Sequence, residues 1–231
     1  MDACAGVSGV EIAVFPPFTH LSSVFEVLSS STIGLGAQDV AATTWGALTG
    51  AVSAQMVVDY CDYALVGHSE RRHLFGESEE TVAAKLVQSV DAKLTVLLAV
   101  GETEEERDAG RTHAVIDRQL GSALGGAVAA SPDQLVVAYE PVWAIGTGKT
   151  ATPEVADGAC AHVSKRLGEL VHEGERVRVL YGGSLNGENA QALFEQPHID
   201  GGLPGGASLK SDSFSAIVRA AAAATNSSTL S

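Results

Sequence analysis

Two residues in this chain sit where a reactive side chain would be placed. Glu140 ends the apolar run LVVAYE and is followed by Pro141 and a short segment leading into Gly-Thr-Gly, in YEPVWAIGTGK (139–149). His68 ends a second apolar run, YALVGH, and precedes SERR. A carboxylate fixed at a strand end beside a loop able to hinge can serve as a general base, and a histidine can donate to an oxygen that gains charge. Each has a plainer reading. A strand-end glutamate taken alone is as readily the ion-pair partner of a neighbouring lysine or arginine, and a strand-end histidine is more often a satisfied core residue.

Bulk properties limit what such a pair could act on. The chain has 231 residues, 45% hydrophobic and 18% charged, with a net charge of −14. That is ample for one large core and excludes a disordered tail or a disulfide scaffold. So acidic a surface repels nucleic acid and anionic membranes, so an anionic substrate needs a local positive pocket. Cys4, Cys61 and Cys160 are scattered, with no Cys-x-x-Cys spacing. They read as reduced residues of a cytosolic protein, and no metal or organic cofactor is expected. The N-terminal MDACAGVSGVEIAV lacks a basic segment and a long apolar run, so no signal peptide is expected, nor a membrane span. The expectation is a soluble cytoplasmic protein.

The elements that must hold Glu140 and His68 alternate along the chain. Strand candidates are 10–15, 32–38, 63–68, 94–100, 135–140, 177–182 and 199–205, apolar on both faces as buried parallel strands are. Helical segments lie between them. Ser78 caps SEETVAAKLVQSV, Thr152-Pro153 opens TPEVADGACAHVSKRLGELV, EEER (104–107) sits in or before the helix through THAVIDRQL, and AIVRAAAAAT closes the series. Residues 226–231 read as a frayed tail and 1–9 as a remnant or linker, leaving one domain over 1–231. No G-x-G-x-x-G follows the first strand, whereas polar, Gly-rich ends follow most strands. This favours a TIM (β/α)8 barrel over a doubly wound sheet, with the site at the C-terminal strand ends. Seven βα units are readable and the first is expected to be absent, since too few residues precede Val10 to form one.

Four segments carry a specific resemblance: AYEPVWAIGTGKTATPE (138–154), VGHSERRHLFGE (66–77), YGGSLNGENA (181–190) and IDGGLPGGASLK (199–210), with GAQDV…WGALTGAVS (36–53) a fifth. In order and spacing they resemble the triosephosphate isomerase family from about Val10 to the last helix. The resemblance implies aldose–ketose isomerisation of a small phosphorylated sugar through an enediolate, without cofactor, by a cytoplasmic homodimer of glycolysis and gluconeogenesis. It implies Glu140 as base, His68 as electrophile and Glu70 as a supporting carboxylate. A helical turn after His68 would point backbone N–H groups at the ring. Gly146, Ser184, Gly205 and Gly206 are implied as phosphate contacts through the main chain. Residues 141–143 and 149–151 resemble lid hinges, and the third loop around Thr49 a dimer contact.

The chain departs from the family's pattern in places. The N-W-K-type motif that brings the family's lysine is absent, and the first lysine is Lys85. Losing that cation would cost several kcal/mol of transition-state stabilisation, on the scale of an oxyanion donor. Ala51 replaces a glutamate, Ala99 a cysteine, and Gly202 and Pro204 larger apolar residues. Proline removes a ladder donor from the last strand. Alternative readings are an isomerase of a tetrulose phosphate, or a non-catalytic phosphate-binding relative that lost the lysine.

Overall fold

The computed structural model describes Cys4, residues 7–125 and residues 131–228. Seven parallel strands form one sheet in chain order: β1 (Ala13–Val14), β2 (Gly34–Ala37), β3 (Tyr63–Val66), β4 (Thr95–Val100), β5 (Leu135–Tyr139), β6 (Arg178–Tyr181) and β7 (Gly201–Gly202). Pairing is in register across each junction, for example Ala13 with Gly34, Leu97 with Val136 and Tyr181 with Gly202. Helices connect the strands: α1 (Leu21–Leu28), α2 (Ala54–Val57), α3 (Ser69–Leu74), α4 (Glu79–Asp91), α5 (Glu104–Asp108), α6 (Thr112–Leu124), α7 (Pro153–Leu170), α8 (Ala190–Phe194) and α9 (Ser211–Ser228).

Strand residues alternate between two cores, as the two-residue period of a pleated strand requires. On β4, Val96, Leu98 and Val100 join Leu86, Ile116 and Val163 in the layer between sheet and helices. The intervening Leu97 and Ala99 point the other way, into a second cluster with Leu65, Val136 and Ala138, against which Phe15, Leu180 and Leu203 pack. This inner cluster draws on β3 to β6 and on the residues just after β1 and β7, so the sheet curls around it as a barrel wall does. Glu11 reinforces the curl. It accepts a hydrogen bond from Arg178 Nη1 at 2.7 Å and another from the Tyr63 hydroxyl, so the segment before β1 meets the first residues of β3 and β6 at one end of the sheet.

All seven expected strands form, but the outer two are shorter than the sequence suggests. β1 covers two residues of 10–15 and stops ahead of Pro16-Pro17. β7 covers two of 199–205 and ends before Pro204, which therefore lies beyond the ladder rather than in an interior strand. An edge strand has one neighbour, so pairing lapses as soon as a proline removes a donor. No eighth strand joins the sheet among the described residues.

The caps fall where expected. Ser78 and Thr152 accept from Thr81 and Val155 backbone N–H, and Pro153 occupies the first helical position. The EEER segment is its own helix, α5, with a Thr103/Glu106 capping box, and Gly110 at φ 68° separates it from α6. α9 runs through Ser228, and the rest of the expected frayed tail, 229–231, lies outside the described residues, as do 1–3, 5 and 6.

Candidate active site

His68 and Glu140 come from strands two apart in the sheet and meet at their C-terminal ends. After β3 the chain turns at Gly67, whose φ of +74° favours glycine and whose hypothetical Cβ would crowd Arg72 Nη2 at 2.8 Å and the Ala99 carbonyl at 3.1 Å. Arg72 fixes this turn: Nε donates to the Gly67 carbonyl at 2.7 Å, Nη2 to the Ala99 carbonyl at 3.2 Å and Nη1 to Glu79 at 2.8 Å. His68 then caps α3, the helical turn anticipated after it. The ring's Nδ1 accepts the backbone N–H of Glu70 at 3.3 Å.

Glu140 follows β5 and is 2% exposed. Its Oε2 accepts the backbone N–H of Ser69 at 2.8 Å, and Oε1 lies 3.0 Å from His68 Nε2. Among the described residues no lysine or arginine forms an ion pair with it, so the plain reading as a structural ion-pair partner does not describe its surroundings. The main chain is equally confined. Glu140 N–H donates to the Val100 carbonyl at 2.7 Å, a Cβ at Gly101 would stand 1.8 Å from the Glu140 carbonyl oxygen, and one at Gly182 would stand 2.9 Å from its Cγ.

These partners settle the protons. With Nδ1 accepting a main-chain N–H, the neutral ring carries its proton on Nε2 and donates it to Glu140. Burial opposes a second proton on the ring, but the hydrogen bond and charge of Glu140 outweigh it and raise the pKa of His68 above its ordinary value. The Glu70 carboxylate is 65% exposed and 4.0 Å from Nδ1, so its backbone makes the closer contact.

The remaining expected residues lie on loops at the same strand ends. Gly146 is in the loop after β5 at φ 67°, Ser184 follows β6 with its carbonyl accepting from Asn189 Nδ2 at 2.9 Å, and after β7 Gly205 caps and Gly206 opens a 3₁₀ turn. No protein atom comes within 4 Å of a hypothetical Cβ at Gly146, Gly205 or Gly206. Packing therefore does not require these glycines, and their main chain is free to approach a ligand. Cations near His68 in sequence are engaged elsewhere: Arg71 and Lys85 with Asp39 and Glu77, Arg72 with Glu79. Among the described residues no group of three His, Cys, Asp or Glu side chains is placed to hold a metal ion.

Several participants escape a reading by residue type. Ser69 acts through its N–H, which no side-chain pattern announces, although GHSERR contains it. Glu102 is fully buried beneath the base of the loop, where Oε1 accepts from Tyr139 Oη at 3.1 Å and Trp143 Nε1 at 2.9 Å. Arg107 stacks on the Trp143 ring at 4.1 Å. The only signal for these is the acid at the end of LTVLLAVGE, matching Glu140 one strand away.

The family model described as triosephosphate isomerase matches residues 2–221. A triosephosphate isomerase of Geobacter metallireducens is 50% identical over 212 residues, covering 90% of this chain and 84% of the relative. One from Herminiimonas arsenicoxydans is 48% identical over 218 residues, covering 94% and 88%, and one from Thiobacillus denitrificans is 49% identical over the same length, with the same coverage. With matches of this extent over a curled parallel sheet, the chain belongs to the triosephosphate isomerase family and is an isomerase of the (β/α) barrel class.

Proposed function

We propose that this isomerase interconverts glyceraldehyde 3-phosphate and dihydroxyacetone phosphate, with Glu140 as base and His68 as electrophile. Glu140 takes a proton from the carbon beside the carbonyl, and the electron pair of that C–H bond moves through the new C=C bond onto the carbonyl oxygen. The Nε2–H of His68 donates to that oxygen as its charge grows and passes its proton to it, and the ring takes up the proton of the neighbouring hydroxyl in return. Glu140 then returns its proton to the former carbonyl carbon, the C=C pair forming that C–H bond as the hydroxyl-bearing carbon becomes the new carbonyl. The observation that carries this reading is the carboxylate itself. It is almost fully buried, held by one main-chain N–H, and 3.0 Å from a histidine nitrogen whose partner fixes it as a donor. A substrate carbon and oxygen would enter between these two groups and replace the hydrogen bond they now share.

Gly146, Ser184, Gly205 and Gly206 would meet the phosphate through backbone N–H groups, and Glu70 supports His68 through its main chain. Loop residues 38–53, with Trp45 88% exposed and Leu48 52% exposed beside Thr49, offer the apolar surface of a homodimer contact. The place of the reaction is cytoplasmic glycolysis and gluconeogenesis. No described helix is long and apolar enough to cross a membrane.

The test is glyceraldehyde 3-phosphate isomerisation by this chain beside Glu140→Gln. The substitution is expected to lower kcat/KM by about 10²–10⁴, the range for a positioned base. Equal turnover by the variant would refute the assignment. Sedimentation of Trp45→Ser, which should shift a dimer toward monomer, checks the contact.

A further inference from the structure

Both ends of the loop after Glu140 are tied to one short stretch, residues 102–107. At the N-terminal end Trp143 donates to buried Glu102 and lies under Arg107 of α5. At the C-terminal end Lys149 Nζ pairs with Glu104, the first residue of α5. Between them the tip is braced by its own contacts: Thr147 Oγ1 donates to the Trp143 carbonyl at 2.7 Å and accepts the Lys149 N–H at 3.2 Å. Residues 146–150 stand exposed, and among the described residues their hydrogen bonds and ion pairs run to Trp143, to one another and to Glu104 rather than to Glu140 or His68.

The two ties differ in strength. Glu102 is fully buried with its partners Tyr139 and Trp143, whereas Lys149 and Glu104 are 55% and 53% exposed. An internally braced tip moves about its ends, and the solvent-exposed tie is the one that opens first. We propose that Glu104 is a positioning residue acting through Lys149: their ion pair holds the lid off the site, and binding a phosphorylated substrate requires breaking it. This rests on Glu140 and His68 being the site the lid covers. Exposed pairs shift an equilibrium by at most about fivefold, and salt screens them. The latch therefore biases the lid and does not lock it.

The experiment measures the Kd of glycerol 3-phosphate, substrate-shaped but unreactive, and KM and kcat for glyceraldehyde 3-phosphate, on the full chain at low and high salt. Glu104→Gln should tighten glycerol 3-phosphate binding and lower KM by about two- to fivefold at low salt, the difference closing at high salt. Glu105→Gln removes the same charge from α5 without touching Lys149 and should bind as the parent does. The exchanged pair Glu104→Lys with Lys149→Glu keeps the net charge and should restore parental values. Binding unchanged in Glu104→Gln, an equal effect in Glu105→Gln, or an exchange that fails to restore it would each overturn the latch. Glu140→Gln separates this from the parent reading: turnover surviving in that variant defeats the site assignment, whereas the latch is judged on binding alone.

Discussion

The N–H of Ser69 is the clearest target for testing how Glu140 is held. Ser69 is the first residue of α3, where proline is tolerated because its missing N–H makes no intrahelical bond. His68 before it has φ −51° and ψ 141°, a conformation compatible with a following proline. Ser69→Pro therefore deletes one donor and leaves the helix intact. It also places the ring Cδ against Glu140 Oε2, now 2.8 Å from the nitrogen, so the carboxylate must withdraw. A hydrogen bond to a charged group contributes about 1.5–3 kcal/mol, and the stiffer unfolded chain returns about 0.4–1 kcal/mol. The net loss is about 1–2 kcal/mol, or a fall in Tm of about 2–8 °C for a chain of this size. Ser69→Ala keeps the donor and should be close to neutral. Urea unfolding of a double-mutant cycle with Glu140→Ala measures the lost hydrogen bond together with the crowding by the proline ring, with a coupling of at least about 1–2 kcal/mol expected. A proline variant as stable as the parent, or coupling below about 0.5 kcal/mol, would show that this N–H does not hold the carboxylate.

Three further outcomes follow from the same geometry. Gly182→Ala puts a methyl 2.9 Å from Glu140 Cγ and should lower kcat about 10- to 100-fold with little change in KM, as steady-state kinetics would show. Because Glu140 raises the His68 pKa, the stability this adds is full below the ordinary value of about 6.5 and is lost as pH rises through the folded value. In Glu140→Gln burial and Arg71 still lower the ring's pKa while the Glu70 charge raises it, so the ring should titrate lower than in the parent and this pH-dependent stability should shrink, read by ring NMR and urea midpoints. Trp143→Phe leaves Glu102 with one donor fewer in a buried layer and should cost about 1–3 kcal/mol, measured by denaturant unfolding.

The strands were legible because they are buried on both sides, so their apolar runs stand out whatever face each residue takes. The outer two were overdrawn because pairing, not hydropathy, ends them: Pro16 and Pro204 mark where β1 and β7 stop. Helices α1, α2 and α8 left no strong signature, two of them being only four and five residues long. In the site, Glu140 and His68 were readable as side chains at strand ends. Ser69 was not, since its contribution is an amide that every residue but proline carries. The Glu102, Trp143 and Arg107 cluster joins residues of two strand ends, and adjacency of that kind exists only once β4 and β5 are paired. The sequence also shows no N-W-K-type lysine, and the cations nearest His68 are engaged with Asp39, Glu77 and Glu79.

The brief outer strands have a consequence for how the molecule comes apart. β1 and β7 contribute two residues each, while β4 and β5 pair along five consecutive positions. Amide exchange should therefore be fastest at the two margins and slowest around Leu97 to Ala138, where opening approaches the global free energy. His68 and Glu140 hang from β3 and β5, on the slow side of that gradient. Mild denaturant should thus loosen the margins of the sheet before it separates the histidine from the carboxylate.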